Sequence, residues 1–287
     1  MFNKISTSYN LVKVAFKYIK RDGELLMYSI FSLLSSMAIL ATFVWVDYFF
    51  LGFIDGMSDT QTTEGTADLL IIAYTFIYYL VFSFITFFFN TAIIKSVQRR
   101  NNGEDNKLWD GIRDARKHLK AIFIWSLINA TVTTILKLLQ KKFGENSMVG
   151  SIIVGLVGWA WNILTFFSFP LMIVNEMWPK EAIKESGSLF KKTWGERAII
   201  HVWVGLMFFF LYLALILLSV LVIYTGLFLT WIILLVVWMI FLMILSSTTD
   251  TIIKTILLYY AQHGKLPAGL EGEEAIIDLA GENKTLK

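Results

Sequence analysis

The chain has 287 residues, 56% of them apolar and only 16% charged, with 24 Phe, 10 Trp and a net charge of +3. A soluble domain of this size carries about a quarter charged residues, so lipid is the expected solvent for most of this chain. With no Cys and three His, thiol chemistry, disulfides, Fe–S clusters and Cys-based zinc sites are excluded, and no cofactor is expected.

The N-terminal segment is basic and amphipathic. Phe2, Ile5, Tyr9, Val12, Phe16 and Ile19 recur at spacings of three and four, while Lys4, Lys13, Lys17 and Lys20 fall on other faces. The apolar run that follows, residues 25–46, is too long for a signal-peptide core and has no convincing small-residue cleavage site, so it is expected to stay as a membrane helix. Further runs long enough to span lie at 69–94, 121–139, 148–174, 198–224 and 227–245. The third contains Asn129, three Thr and Lys137, and so needs polar partners or a snorkelling lysine at its end. Between the last two runs no polar loop occurs, yet one straight helix would overshoot a bilayer; Tyr224-Thr225-Gly226 is the expected reversal. The expectation is an all-α membrane protein of six transmembrane helices, one polytopic domain over residues 1–262 and a short cytoplasmic tail over 263–287.

Amphipathic helices are also predicted before the third and fifth spans. Leu108, Ile112, Ala115 and Leu119 line one face among Arg113, Arg116 and Lys117; Ile183, Ser186 and Phe190 line another, after Pro179 and before Gly195. Each of the three segments carries a Ser or Asp three residues before a Leu: Ser8 and Leu11, Asp105 and Leu108, Ser186 and Leu189. This pattern predicts three repeats of an amphipathic interfacial helix plus a two-span hairpin. The connector over roughly residues 52–67 is polar and Thr-rich, and reads as a solvated outer loop.

Of the 25 Lys and Arg residues, all but Lys137, Lys141 and Lys142 fall on one side of the six-span arrangement. That asymmetry predicts a multi-pass protein of the inner (cytoplasmic) membrane with both termini cytoplasmic. It also predicts contact with anionic lipid headgroups rather than nucleic acid. A protein partner or a homo-oligomer is compatible with the same surfaces.

Several stretches resemble one known group: Ser8-Tyr9-Asn10-Leu11-Val12-Lys13 with Asp22-Gly23-Glu24-Leu25-Leu26; Phe169-Pro170-Leu171-Met172-Ile173-Val174 leading into Glu181-Ala182-Ile183-Lys184-Glu185-Ser186 and Phe190-Lys191-Lys192-Thr193-Trp194-Gly195; and Leu258-Tyr259-Tyr260-Ala261-Gln262-His263-Gly264-Lys265-Leu266-Pro267-Ala268-Gly269. The chain resembles a family of prokaryotic integral membrane proteins catalogued only as a domain of unknown function. More loosely, the pattern around Ser186 and Trp194 is similar to membrane domains attached to some glycerophosphodiester phosphodiesterases, whose soluble catalytic barrel has no counterpart here. The resemblance implies the topology and brings no catalytic residues. Leu270 departs from it, where an aromatic is expected after the terminal Gly.

Ionisable residues in these runs are few, and Asp47, Lys137, His201 and Asp250 fall near predicted span ends. Asp250 and Lys254, one helical turn apart, are placed to pair. The candidate internal polar positions are Asn90, Asn129, Asn162 and Asn175, whose amides can bond across helices or meet a ligand. Pro170 inside the fourth run predicts a kink, because it lacks a donor and crowds the carbonyl of Phe166. Ser147, Ser151 and Gly155, spaced by four, are candidate helix-packing positions. No phosphate-cradling glycine loop, metal-ligand spacing or catalytic Ser element occurs, so an enzyme is not expected. The leading expectation is a non-catalytic scaffold, partner subunit or membrane-organising protein. The alternative is a transporter or channel for an apolar or lipid-like solute, favoured by a defined central cavity with Asn129 and Asn162 facing it.

Overall fold

A computed structural model describes residues 2–58, 64–144, 148–194, 208–214, 216–217, 228–264 and 266–267. All regular structure among them is helical: α1 (Phe2–Arg21), α2 (Glu24–Ser58), α3 (Glu64–Asn101), α4 (Leu108–Lys117), α5 (Leu119–Leu139), α6 (Met148–Leu164), α7 (Ser168–Val174), α8 (Pro179–Trp194) and α9 (Phe228–His263). A π-helical turn at Gln140–Gly144 extends α5.

Five stretches are long and apolar enough to cross a membrane: Glu24–Val46, Leu69–Asn101, Leu119–Phe143, Met148–Val174 and Ile232–His263. Their side chains are largely exposed in the isolated chain; Leu34, Met37, Leu40, Val44 and Trp45 of α2, for example, face outward. Such a continuous apolar surface would drive aggregation in water but is the natural exterior of a bundle in lipid. The fold is therefore compatible with a multi-pass membrane protein. The predicted fifth span, 198–224, lies mostly outside the described residues, with only 208–214 and 216–217 described as helical. The Tyr224-Thr225-Gly226 turn, Gly195, His201, Leu270 and most of the tail, residues 268–287, lie outside them.

Two expectations are corrected. The last helix does not stop near residue 245 but runs unbroken to His263. The run Ser246-Ser247-Thr248-Thr249-Asp250-Thr251 looks like an exit from lipid, yet its hydroxyls bond back one turn: Thr248 Oγ1 to the Ile244 carbonyl at 2.9 Å, Thr251 to Ser247 at 3.2 Å and Thr255 to Thr251 at 2.8 Å. Satisfied this way, Thr248 is fully buried between helices. The outer connector is also shorter than expected, because α2 continues to Ser58 and α3 begins at Glu64.

The buried core sits toward one end of the bundle. There Leu11, Val14 and Ala15 of α1, Ile93 and Val97 of α3, Ile122 of α5, Leu171 and Ile173 of α7, Ala182 of α8 and Ile252 and Ile256 of α9 belong to one cluster. The three short helices predicted from spacing, α1, α4 and α8, are present and pack onto this end. The Ser/Asp–Leu coincidence does not survive as a structural register: Asp105 precedes α4 in non-helical backbone, whereas Ser8 and Ser186 lie inside helices. Helix α3 ends at Asn101, and just beyond it Gly103, with a φ of +77°, lets the Glu104 N–H reach back to the Arg99 carbonyl at 3.0 Å.

Polar contacts fix this end. Arg99 of α3 donates from Nη2 and Nε to Asp114 Oδ2 at 2.7 and 2.9 Å, and Lys117 reaches Asp114 Oδ1 at 2.8 Å. Burial alone would raise the Asp114 carboxyl, but the hydrogen bonds from Lys117 and Arg99 and their charges outweigh it and hold it below the usual range. At the α1–α2 corner Asp22 accepts from Asn106 Nδ2 at 3.0 Å, with Arg100 Nε at 3.7 Å. Here burial wins over both partners, and the Asp22 carboxyl is pushed up.

Candidate functional site

The fourth span is broken, and the break lies ahead of Pro170 rather than at it. Helix α6 ends at Leu164, residues 165–167 form a turn, and α7 restarts at Ser168, so Pro170 occupies the third position of a new helix where no intrahelical donor is required. Tightened bonds close the turn: Phe166 N–H to the Ile163 carbonyl at 3.3 Å and Ser168 N–H to the Thr165 carbonyl at 3.0 Å. The Phe167 N–H donates instead to Ser186 Oγ of α8 at 2.9 Å. Ser186 and Phe167 are both fully buried.

The break opens onto a cavity of about 390 Å³ between α3, α5, α6, α7 and α9. Asn90 projects into it from α3, Asn129 from α5, Asn162 from α6 and Pro170 from α7; Asp250, Thr251 and Lys254 line it from α9. Sequence spacing alone could not bring these residues together, because it assigns faces to helices without saying which faces meet. Much of the wall is aromatic: Phe87 and Phe169 have centroids 4.6 Å apart, and Trp125 stacks on Phe169 at 6.4 Å.

The amides are only partly used. Asn129 Nδ2 donates to Ser83 Oγ at 2.9 Å, and Asn90 Oδ1 accepts from Thr251 Oγ1 at 3.4 Å. Asn162 makes no side-chain hydrogen bond among the described residues. Each amide has four hydrogen-bonding positions, so donors and acceptors from three helices are left over for a guest. Asp250 and Lys254 are paired at 2.7 Å, as their spacing predicts, and Lys254 Nζ also lies 5.3 Å from the Phe166 ring centre. Their charges therefore compensate one another at the cavity edge. What sequence reading missed was their place in this wall. The available signal was the turn-by-turn alignment of Trp125 with Asn129, Trp161 with Thr165 and Asp250 with Lys254, each four apart.

Other expected positions fall elsewhere. Asn175 caps the end of α7, where its Oδ1 accepts from Gln262 Nε2 at 3.1 Å in an exposed position outside the cavity. Ser147 lies outside the described residues. Ser151 is exposed, and a side chain added at Gly155 would meet no atom within 4 Å, so among the described residues no helix packs closely on Gly155; α5 comes near one turn later, with Leu136 Cδ1 at 3.6 Å from a Cβ at Gly158. Among the described residues no group of His, Asp and Glu could hold a metal ion.

None of the curated proteins matches the chain, and the looser likeness to phosphodiesterase-associated membrane domains stays a resemblance of sequence pattern only. A family of unknown function, DUF6159, matches residues 69–268, more than half of the sequence and all of the cavity-lining positions, and the chain belongs to that family.

Proposed function

We propose that this protein binds an apolar or lipid-like solute in the α3–α5–α6–α7–α9 cavity, as a transporter or channel of that solute class. The observation that carries this reading is the convergence of Asn90, Asn129 and Asn162 from three helices on one aromatic-walled volume of about 390 Å³ beside a broken helix. Apolar walls supply affinity, and a few placed amides supply orientation, without the cost of an unpaired charge in lipid. The compensated Asp250–Lys254 pair fits a neutral or amphipathic guest better than a bare ion.

The orientation we propose puts α1, α4, α8 and both termini on the cytoplasmic side of a cell membrane, on the strength of the Lys and Arg asymmetry. The other expectation, a non-catalytic scaffold or partner subunit, draws on a separate observation: Lys13, Lys17, Lys20, Arg113, Arg116 and Lys184 are exposed on helices at that one end.

Extraction of the chain in native membrane discs followed by mass spectrometry separates the two. A specifically enriched lipid or small molecule, lost on Asn129→Leu or Asn162→Leu, supports the cavity reading. A stoichiometric protein partner with no enriched small molecule overturns it in favour of the scaffold.

A further inference from the structure

On the side of α3 away from the cavity, α4 lies against the bundle in a way that leaves one stripe uncovered. Gly111, Asp114 and Ala115 are buried against the bundle, while Trp109, Ile112, Arg113 and Arg116 recur at helical spacing on the adjoining side. That stripe overhangs a groove of about 640 Å³, floored by Phe31 and Ser35 of α2 and Phe88 and Phe89 of α3. Phe31 and Phe89 have ring centres 6.3 Å apart, and Phe88 meets Phe89 edge-on at 5.3 Å. At about 100° per residue, Phe88 and Phe89 point away from the cavity-lining Phe87, Asn90 and Ile94, so groove and cavity are separate.

The charges over this groove are uneven. Arg99 and Lys117 are both taken by Asp114, and Arg113 pairs with Asp110 one turn back. Arg116 is exposed and has no ion pair or hydrogen bond among the described residues. Trp109 is 72% exposed beside it. An apolar trough roofed by an unpaired guanidinium and an indole has the chemistry of a lipid at the level of its headgroup.

We propose that the α2–α3–α4 groove binds one anionic phospholipid of the leaflet that α4 faces. An acyl chain lies along Phe31, Phe88 and Phe89, and Arg116 holds the phosphodiester, assisted by the outer edge of Arg113. A planar guanidinium can grip two phosphate oxygens at once, which a lysine cannot do. Arg116, which has no carboxylate partner among the described residues, disfavours the ammonium of a zwitterionic headgroup, which selects a net negative lipid. Free phosphate in water has no use for the phenylalanine floor.

The test is native mass spectrometry of the purified full chain titrated with phosphatidylglycerol or with phosphatidylcholine of the same acyl chains. The expected result is retention of phosphatidylglycerol over phosphatidylcholine. Arg116→Gln should weaken phosphatidylglycerol by about tenfold, as loss of a charge-assisted contact implies. Arg113→Gln with Arg116→Gln should weaken it further, while Lys142→Gln at the other end of the bundle should change nothing. Equal retention of the two lipids, or equal losses in Arg116→Gln and Lys142→Gln, overturns the proposal. Displacement of the lipid by millimolar inorganic phosphate also overturns it, since the acyl groove would then contribute nothing. Asn129→Leu leaves this site untouched, so its outcome is independent of the cavity.

Discussion

Ser186, inside α8, accepts a hydrogen bond from the Phe167 N–H across the break between α6 and α7, at 2.9 Å. Phe167 lies in the turn where the fourth span stops at Leu164 and restarts at Ser168. Since Ser186 is fully buried, water has no ready route to replace it. Ser186→Ala should cost about 0.5–1.5 kcal/mol, the usual net value of a lost hydrogen bond. Denaturation of the purified protein reads this directly, and an unchanged midpoint would mean that the break is held by something other than α8.

Gly111 is required for a different reason. A Cβ there would collide with Tyr28 Oη and Ser96 Oγ, and Tyr28 is itself fully buried, donating to the Leu108 carbonyl at 2.9 Å. Gly111→Ala should therefore lift α4 from α3 and cost about 1–3 kcal/mol, as overpacking does. Faster hydrogen exchange in α4 is the expected readout. Tyr28→Phe in the same chain removes the hydroxyl and should recover part of the loss, a coupling that independent sites would not display.

The two buried aspartates at the end of the bundle should respond to pH in opposite senses. Asp114 is held below its unfolded value of about 3.9, so its stabilising contribution is present above that pH and is lost as pH falls through its folded value. Asp22 is raised by burial, so its contribution is complete below about pH 3.9 and is lost as pH rises through its folded value. Asp114→Asn should destabilise at pH 7 and have little effect in strong acid. Asp22→Asn should stabilise at pH 7, because the amide still accepts from Asn106 without carrying a buried charge, and this gain should vanish near pH 3. Urea midpoints at the two pH values check both signs.

The periodicity of Val12, Ile19, Ile112, Ala115 and Ile183 made α1, α4 and α8 legible, because a helix must turn its apolar stripe toward something. The ends of the fourth span were legible for the same reason, its apolar run matching Met148–Val174. Its break was legible only as to neighbourhood: Pro170 marks the damage, but the chain absorbs it one turn earlier, at 165–167, where Ser186 can cap the amide. The length of α9 was hidden, because Thr248 and Thr251 look polar in sequence and satisfy themselves in the helix. Asn90, Asn129 and Asn162 could be picked out as amides in apolar runs, and Asn175 shared that signature, yet only the packing of α3, α5 and α6 separates the three that meet from the one that caps α7.

The cavity is open to a direct chemical probe, because the chain has no Cys to confuse it. Single cysteines at Asn129, which lines the cavity, and at Ala130, fully buried one residue on, would be treated with a small water-soluble methanethiosulfonate in the purified protein. Reaction needs the thiolate and hence a solvated, reachable site. The account predicts rapid modification of Asn129→Cys, slowed by any solute recovered from native membranes, and no modification of Ala130→Cys. If Asn129→Cys is as inert as Ala130→Cys, the interior is packed shut and the solute-binding reading fails.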